Sequence, residues 1–149
     1  MTTIVYDHKA RQIAVDGRAT SGHLINTEEA IKWAQDGDDW WFICGAVCDE
    51  NQFIEYMNAK DPDTPKREIE CSAFLVSAGR VYQCVIDEGK QCKSEINYSD
   101  SIGSGSQWAL AALDMGKTAA ESVEYAKTRD TGTGGKVSVF DIERMGFIQ

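Results

Sequence analysis

Met1-Thr2-Thr3-Ile4-Val5 opens the chain, and its reading decides the fold. Behind the methionine stand two threonines and two β-branched apolar residues, so a strand is expected at once. If Met1 is removed, Thr2 carries a hydroxyl nucleophile and a free α-amine on one residue. A threonine hydroxyl is a weak nucleophile at neutral pH and needs a base beside it, which the terminal amine can be. An α-amine has a reference pKa of roughly 7.7–8.0, close enough to neutrality for a useful unprotonated fraction. Met-Thr is a common beginning, so its meaning depends on what the other residues supply.

Length and composition narrow the field. The 149 residues suit a single domain with a core. With 42% hydrophobic and 26% charged residues, the chain reads as globular rather than disordered. A net charge of -9 speaks against a nucleic-acid partner, which needs a basic footprint, and against an anionic membrane surface. No apolar run approaches the roughly 20 residues that span a bilayer. The N-terminus lacks a basic region followed by an apolar one, so no export signal is expected and a cytoplasmic location is. Five cysteines, Cys44, Cys48, Cys71, Cys84 and Cys92, have no framework spacing and read as reduced thiols. His8 and His23 lie far from Cys44 and Cys48 in sequence, so that pair reads as small buried hydrophobes rather than a zinc site.

In chain order, residues 3–6 and 12–15 form a hairpin around Asp7-His8-Lys9-Ala10-Arg11. Read locally, Asn26 is an N-cap with Glu29 three residues on, which predicts a helix through Trp33. Trp40 to Cys44 is an apolar run of strand length, and Cys48 to Met57 has helical spacing. Asn58 to Lys66 holds both prolines and reads as a loop. Cys71–Ser77 and Arg80–Ile86 are strands around Ala78-Gly79, followed by a polar stretch from Asp87 to Asp100. A helix is predicted over Gln107–Met115, and Thr118 to Glu121 is a capping box for another through about Lys127. After the turn Asp130-Thr131-Gly132-Thr133-Gly134-Gly135, residues 137–142 alternate as a strand. Strand runs and helix runs that segregate in this way suggest packed sheets with helices outside.

Four pieces stand out together: Thr2-Thr3-Ile4-Val5, Asp16-Gly17-Arg18-Ala19-Thr20-x-Gly22, Ile102-Gly103-Ser104-Gly105-Ser106 and Arg129-Asp130-x-x-Thr133-Gly134-Gly135. Each alone is common. In this order the set resembles the β-type subunits of the proteasome and the related bacterial ring protease, both N-terminal-nucleophile hydrolases. The resemblance covers nearly the whole chain and implies an α+β fold, an αββα sandwich of two antiparallel sheets flanked by helices. It also implies roles. Thr2 is similar to the nucleophile. Asp16 resembles the acid that orients a lysine, and Lys32 stands at the family's spacing from it. The family places this lysine in a strand, which conflicts with the local helix expectation. A buried ammonium there disfavours protonation of the amine and stabilises an alkoxide.

The resemblance gives Gly45 to the oxyanion hole through its N–H. Ser104 resembles the serine that hydrogen-bonds the terminal amine, and Asp130 the second acid. Thr133 stands where the family usually has serine. Ala19, Ala30, Ala34, Ile43 and Val47 are implied to line an uncharged pocket favouring apolar side chains. Thr20 matches a position whose backbone pairs with an extended substrate. No metal or cofactor is implied. Expected partners are peptide or unfolded protein as substrate, further copies in a homo-oligomeric ring or stacked rings, and an unfoldase or activator.

Two departures qualify this. The region before Cys71 is too short for the family's second helix, so one outer helix is expected to be missing. Only Met1 precedes Thr2, within reach of a methionine aminopeptidase. The resulting expectation is a threonine peptidase working through an acyl-enzyme on Thr2. Its rivals are a small-molecule amidase and a catalytically silent assembly protein of the same fold.

Overall fold

Strand formation begins where the β-branched run predicts it. A computed structural model describes residues 1–63 and 68–148. In the first part of the chain the elements are β1 (Thr3–Asp7), β2 (Gln12–Val15), β3 (Ala19–Ser21), β4 (Leu24–Thr27), β5 (Trp33–Asp36) and β6 (Asp39–Gly45). A short 3-10 turn (Val47–Asp49) leads into α1 (Glu50–Asn58). Then follow β7 (Cys71–Ser77), β8 (Arg80–Asp87), β9 (Lys90–Glu95) and β10 (Asp100–Gly103). The chain closes with α2 (Ser106–Asp114), α3 (Ala119–Lys127), β11 (Ser138–Asp141) and β12 (Gly146–Ile148). The contacts divide these into two units, 1–32 with 97–149, and 33–96.

The first unit is an antiparallel sheet of order β10-β1-β2-β11-β12, with β3 and β4 as a separate hairpin. Asp7 makes the expected β1–β2 turn, its Oδ1 accepting the N–H groups of Lys9 and Ala10. Val5 and Ala14 pack against Ala109, Ala119, Val123 and Ala126 of the two helices. Small residues on both helices permit that close seat on the sheet. The predicted capping box is present: Thr118 accepts from Glu121 N while the Glu121 carboxylate accepts from Thr118 N, both at 3.1 Å.

The second unit is a meander, β5-β6-β7-β8-β9. Ala78 and Gly79, both at positive φ, turn β7 into β8 as a two-residue hairpin loop requires. One face of this sheet carries Trp41, Ile43, Ala73, Leu75 and Cys84, packed with Phe53 and Met57 of α1. Trp41 and Phe53 meet edge to face, with centroids 6.1 Å apart. Gln91 ties α1 down, since its Nε2 donates to the carbonyls of Tyr56 and Ala59 at the helix end.

Several expectations need correction. The helix over 26–33 does not form. Asn26 instead accepts from Ser21 Oγ across the hairpin, Glu28 O accepts from Lys136 N, and Ala30 N donates to Gly17 O. Those tertiary bonds take the groups a helix would need, and Trp33 enters a strand opposite Phe42. The polar stretch from Asp87 hides an edge strand, β9, whose exposed side chains carry no alternation. Strand β12 was likewise unforeseen. The helix expected from Cys48 begins at Glu50, after the 3-10 turn. Cys44 is buried as expected, but Cys48 is exposed. Residues 59–63 form no helix or strand, and Thr64 to Lys66 of the expected loop lie outside the described residues. Among the described residues no helix stands between α1 and β7. No described helix is long and apolar enough to cross a membrane.

Phe53 is fully buried at the centre of the second unit. Phe53→Ala is expected to destabilise the protein by about 3–5 kcal/mol, read as a lowered midpoint in urea unfolding followed by far-UV circular dichroism.

Candidate active site

The site grows from the end of β2, where Val15 is followed by the buried Asp16. Both carboxylate oxygens of Asp16 are occupied. Oδ1 accepts from Lys32 Nζ at 2.8 Å and from Thr3 N at 3.0 Å. Oδ2 accepts from Gly134 N at 3.0 Å, with Arg18 N more distant at 3.4 Å. A buried ion pair is worth having only if its remaining lone pairs are satisfied, and here backbone N–H groups do that. Lys32, 7% exposed, also donates to Met1 O at 3.0 Å, the carbonyl bonded to Thr2 N. The pair therefore brackets Thr2, with Lys32 on the residue before it and Asp16 on the residue after.

A second network approaches from the other side. Ser104 Oγ and Thr133 Oγ1 both donate to Asp130 Oδ2 at 2.6 Å, and Gly132 N donates to Oδ1 at 3.3 Å. Because Thr133 spends its proton on Asp130, its 2.6 Å contact with Thr3 Oγ1 must have Thr3 as donor. Thr3 Oγ1 accepts in turn from Gly105 N at 3.1 Å. Ser104 N donates to Thr2 O at 2.8 Å. Gly103, at φ +101°, makes this approach possible, since a Cβ there would stand 1.9 Å from Thr2 O. The Gly-Ser-Gly-Ser string is thus a strand-to-helix turn laid flat on the Thr2–Thr3 backbone.

Burial pushes the Asp130 carboxyl upward, but the hydrogen bonds from Ser104, Thr133 and Gly132 outweigh it and leave the group below its ordinary value. Two buried cysteines go the other way. Desolvation lifts the Cys71 and Cys84 thiols to about 12, with Asp49 adding to the rise at Cys71. Both are inert thiols at neutral pH.

Of the residues singled out in the sequence, Thr2, Asp16, Lys32, Ser104, Asp130 and Thr133 come together in the first unit. With Met1 in place, Thr2 N is an amide, and Ser104 meets the Thr2 carbonyl. Ala19 and Thr20 lie on β3, at an irregularity in its pairing with β4. Thr20, Arg18, His23, Thr131 and Met1 help line a cleft of ≈ 380 Å³. Ala30 follows β4 and is pinned to Gly17. Ala34, Ile43, Gly45 and Val47 belong to the second unit. There Ile43 lies in the core beside α1 and Val47 is exposed. Gly45 needs to be glycine for a local reason: at φ +125° a Cβ would sit 1.9 Å from Glu70 O.

Two contributors were missed. Thr3 looks in sequence like any β-branched strand residue. Arg18 grips Glu28 through Nε at 2.8 Å and Nη2 at 3.3 Å, and reaches Thr131 O with Nη1. That pair anchors the segment leading to Lys32, and no local signal in the sequence links two residues ten apart. Among the described residues, no group of three or more His, Cys, Asp or Glu could hold a metal ion.

The depressed Asp130 value sets a pH dependence. A carboxyl held below its unfolded value contributes stability above the ordinary carboxylate range and loses it as pH falls through the folded value. On acidification from neutrality, wild type is expected to lose more melting temperature than Asp130→Asn, which lacks the titrating group. Parallel curves for the two proteins would remove Asp130 from the acid response.

No family model and no curated protein matches the chain. Solved structures do. HslV from Trypanosoma brucei is 22% identical, with a TM-score of 0.72 over 93% of this chain and 97% of that one. BPH from Thiobacillus denitrificans, a bacterial proteasome homologue, is 15% identical over 93% of this chain. Its complex with epoxomicin gives a TM-score of 0.69 over 97% of that chain, and a second structure gives 0.67 over 95%. Identities this low speak for the fold: the chain has the α+β fold of the proteasome-like N-terminal-nucleophile hydrolases.

Proposed function

We propose that this protein is a proteasome-type threonine endopeptidase whose nucleophile is Thr2, exposed by removal of Met1. The observation that carries the reading is the buried Lys32–Asp16 ion pair, hydrogen-bonded to the residues on both sides of Thr2. A side-chain cation there has a chemical use, stabilising an alkoxide on Thr2.

In this mechanism the freed amine takes the Thr2 hydroxyl proton, directly or through a water. The oxygen attacks the scissile carbonyl, and backbone N–H donors stabilise the oxyanion, the role the resemblance gives to Gly45. The proton passes to the departing amine as the C–N bond breaks, leaving an ester on Thr2. A water molecule, deprotonated by the same amine, then hydrolyses that ester and regenerates the hydroxyl. Asp16 fixes Lys32, while Ser104, Asp130 and Thr133 hold the N-terminal backbone. Thr20 pairs with the substrate backbone, and an apolar side chain is favoured before the cut, as the resemblance implies. The substrate is peptide or unfolded protein. A homo-oligomeric ring, with an unfoldase as activator, belongs to the same proposal.

One observation favours a second reading. Met1 O occupies Lys32, so a chain that keeps its methionine is catalytically silent and serves as an assembly component. Hydrolysis of quenched-fluorescence peptides with an apolar residue before the cut separates the two, using protein verified by intact mass with and without Met1. Turnover is expected only without Met1, retained in part by Thr2→Ser and reduced by roughly a thousandfold or more in Thr2→Ala. Equal turnover in Thr2→Ala would refute the mechanism. Cleavage of small amides with no cleavage of peptides would move the assignment to an amidase.

A further inference from the structure

We infer that Thr3 is the positioning residue for the proposed Thr2 nucleophile, an inference that rests on the peptidase reading. Once Met1 is gone, Thr2 has one covalent neighbour, Thr3, and loses the tether between Met1 O and Lys32. The terminal residue is then held by Ser104 N on its own carbonyl and by whatever holds Thr3. Thr3 is completely buried, and its carbonyl accepts from Asp16 N at 3.2 Å. Its N–H donates to Asp16 Oδ1 at 3.0 Å, the oxygen that also takes Lys32 Nζ. Its hydroxyl donates to Thr133 at 2.6 Å and accepts from Gly105 N at 3.1 Å.

Thr3 is therefore where the two acidic networks meet. Through its backbone it shares an oxygen with the lysine. Through its side chain it joins the relay from Thr133 to Asp130, which also holds Ser104. The hydroxyl sets the register of the first strand residue against the turn after β10, and that register fixes where the Thr2 hydroxyl and amine stand relative to Lys32. A misplacement on the order of 1 Å at a reacting group can cost roughly a hundredfold in rate. Thr3 is completely buried, so its effect should fall on kcat and leave KM alone.

The test uses processed, Met1-free protein and compares wild type with Thr3→Val and Thr3→Ser. Thr3→Val keeps the shape and removes the hydroxyl, leaving Gly105 N and Thr133 Oγ1 each short of a partner. Peptide hydrolysis is expected to show kcat down roughly 10- to 100-fold in Thr3→Val, with KM within about twofold. Thr3→Ser, which keeps the hydroxyl, should restore most of the rate. Thermal unfolding of each variant checks the fold. Should Thr3→Val fail to fold, Thr3→Cys against Thr3→Ser gives the same comparison with only oxygen exchanged for sulfur, and a serine-to-cysteine rate ratio above about ten is expected. A ratio near one, or an unchanged kcat in folded Thr3→Val, overturns the role of Thr3 while leaving the peptidase reading intact. Wild type without turnover overturns both.

Discussion

The Asp16 carboxylate is the constraint on which the first unit depends. It is a charge taken out of water, with its side chain fully buried beside a lysine that is itself buried. Such a group is tolerated only when each oxygen finds donors. Those donors come from four separate stretches: Thr3 in the first strand, Arg18 just beyond Asp16, Lys32 at the end of the connection from β4, and Gly134 in the glycine-rich turn. Satisfying one carboxylate therefore fixes where four segments lie. Replacing only one partner of this node would strand the opposite charge in a dry site, a cost of about 3–5 kcal/mol in comparable cases.

The Asp130 network has different chemistry. Its donors are neutral hydroxyls and a backbone N–H, and they outweigh burial to favour the ionised acid. One network supplies a cation next to Thr2, and the other supplies a rigid ladder of hydroxyls beneath the strand-to-helix turn. The first ends on Met1 and Thr3 and the second on Thr2 and Thr3, so the two meet at Thr3. A chain terminus has unusual freedom to fray, and here backbone contacts to Thr2 and Thr3 hold it rather than bulk. The glycine before Ser104 belongs to the same solution, because it lets the turn approach Thr2 O.

How much of this was legible in the sequence varied with the kind of signal. The first hairpin, the turn at Ala78-Gly79 and the Thr118–Glu121 capping box rest on local chemistry, and all three form where the residues indicate. Local chemistry misled at Asn26, where the cap and Glu29 agreed on a helix. The backbone there is taken by Gly17 and Lys136, distant in sequence, so no window of neighbours contained the answer. The edge strand β9 lacked alternation because its side chains are nearly all exposed, and the periodic signal depends on having one buried face. In the site, charged residues announced themselves through the family resemblance. Thr3 did not, since a threonine in a strand carries no mark of the three hydrogen bonds that make it different. Gly45 was picked out for its N–H, while what the structure shows is a backbone carbonyl occupying the space its Cβ would need.

The claim that Thr2 is an N-terminal nucleophile is tested most directly by treating the protein with epoxomicin, the compound bound by BPH, and mapping the product by intact mass and peptide mass spectrometry. The warhead of a peptide epoxyketone requires a hydroxyl and a free amine on one residue. The account predicts a chain lacking Met1, with a single adduct confined to Thr2. Met1 absent and Thr2 unmodified, or an adduct on an exposed thiol such as Cys48, would contradict it.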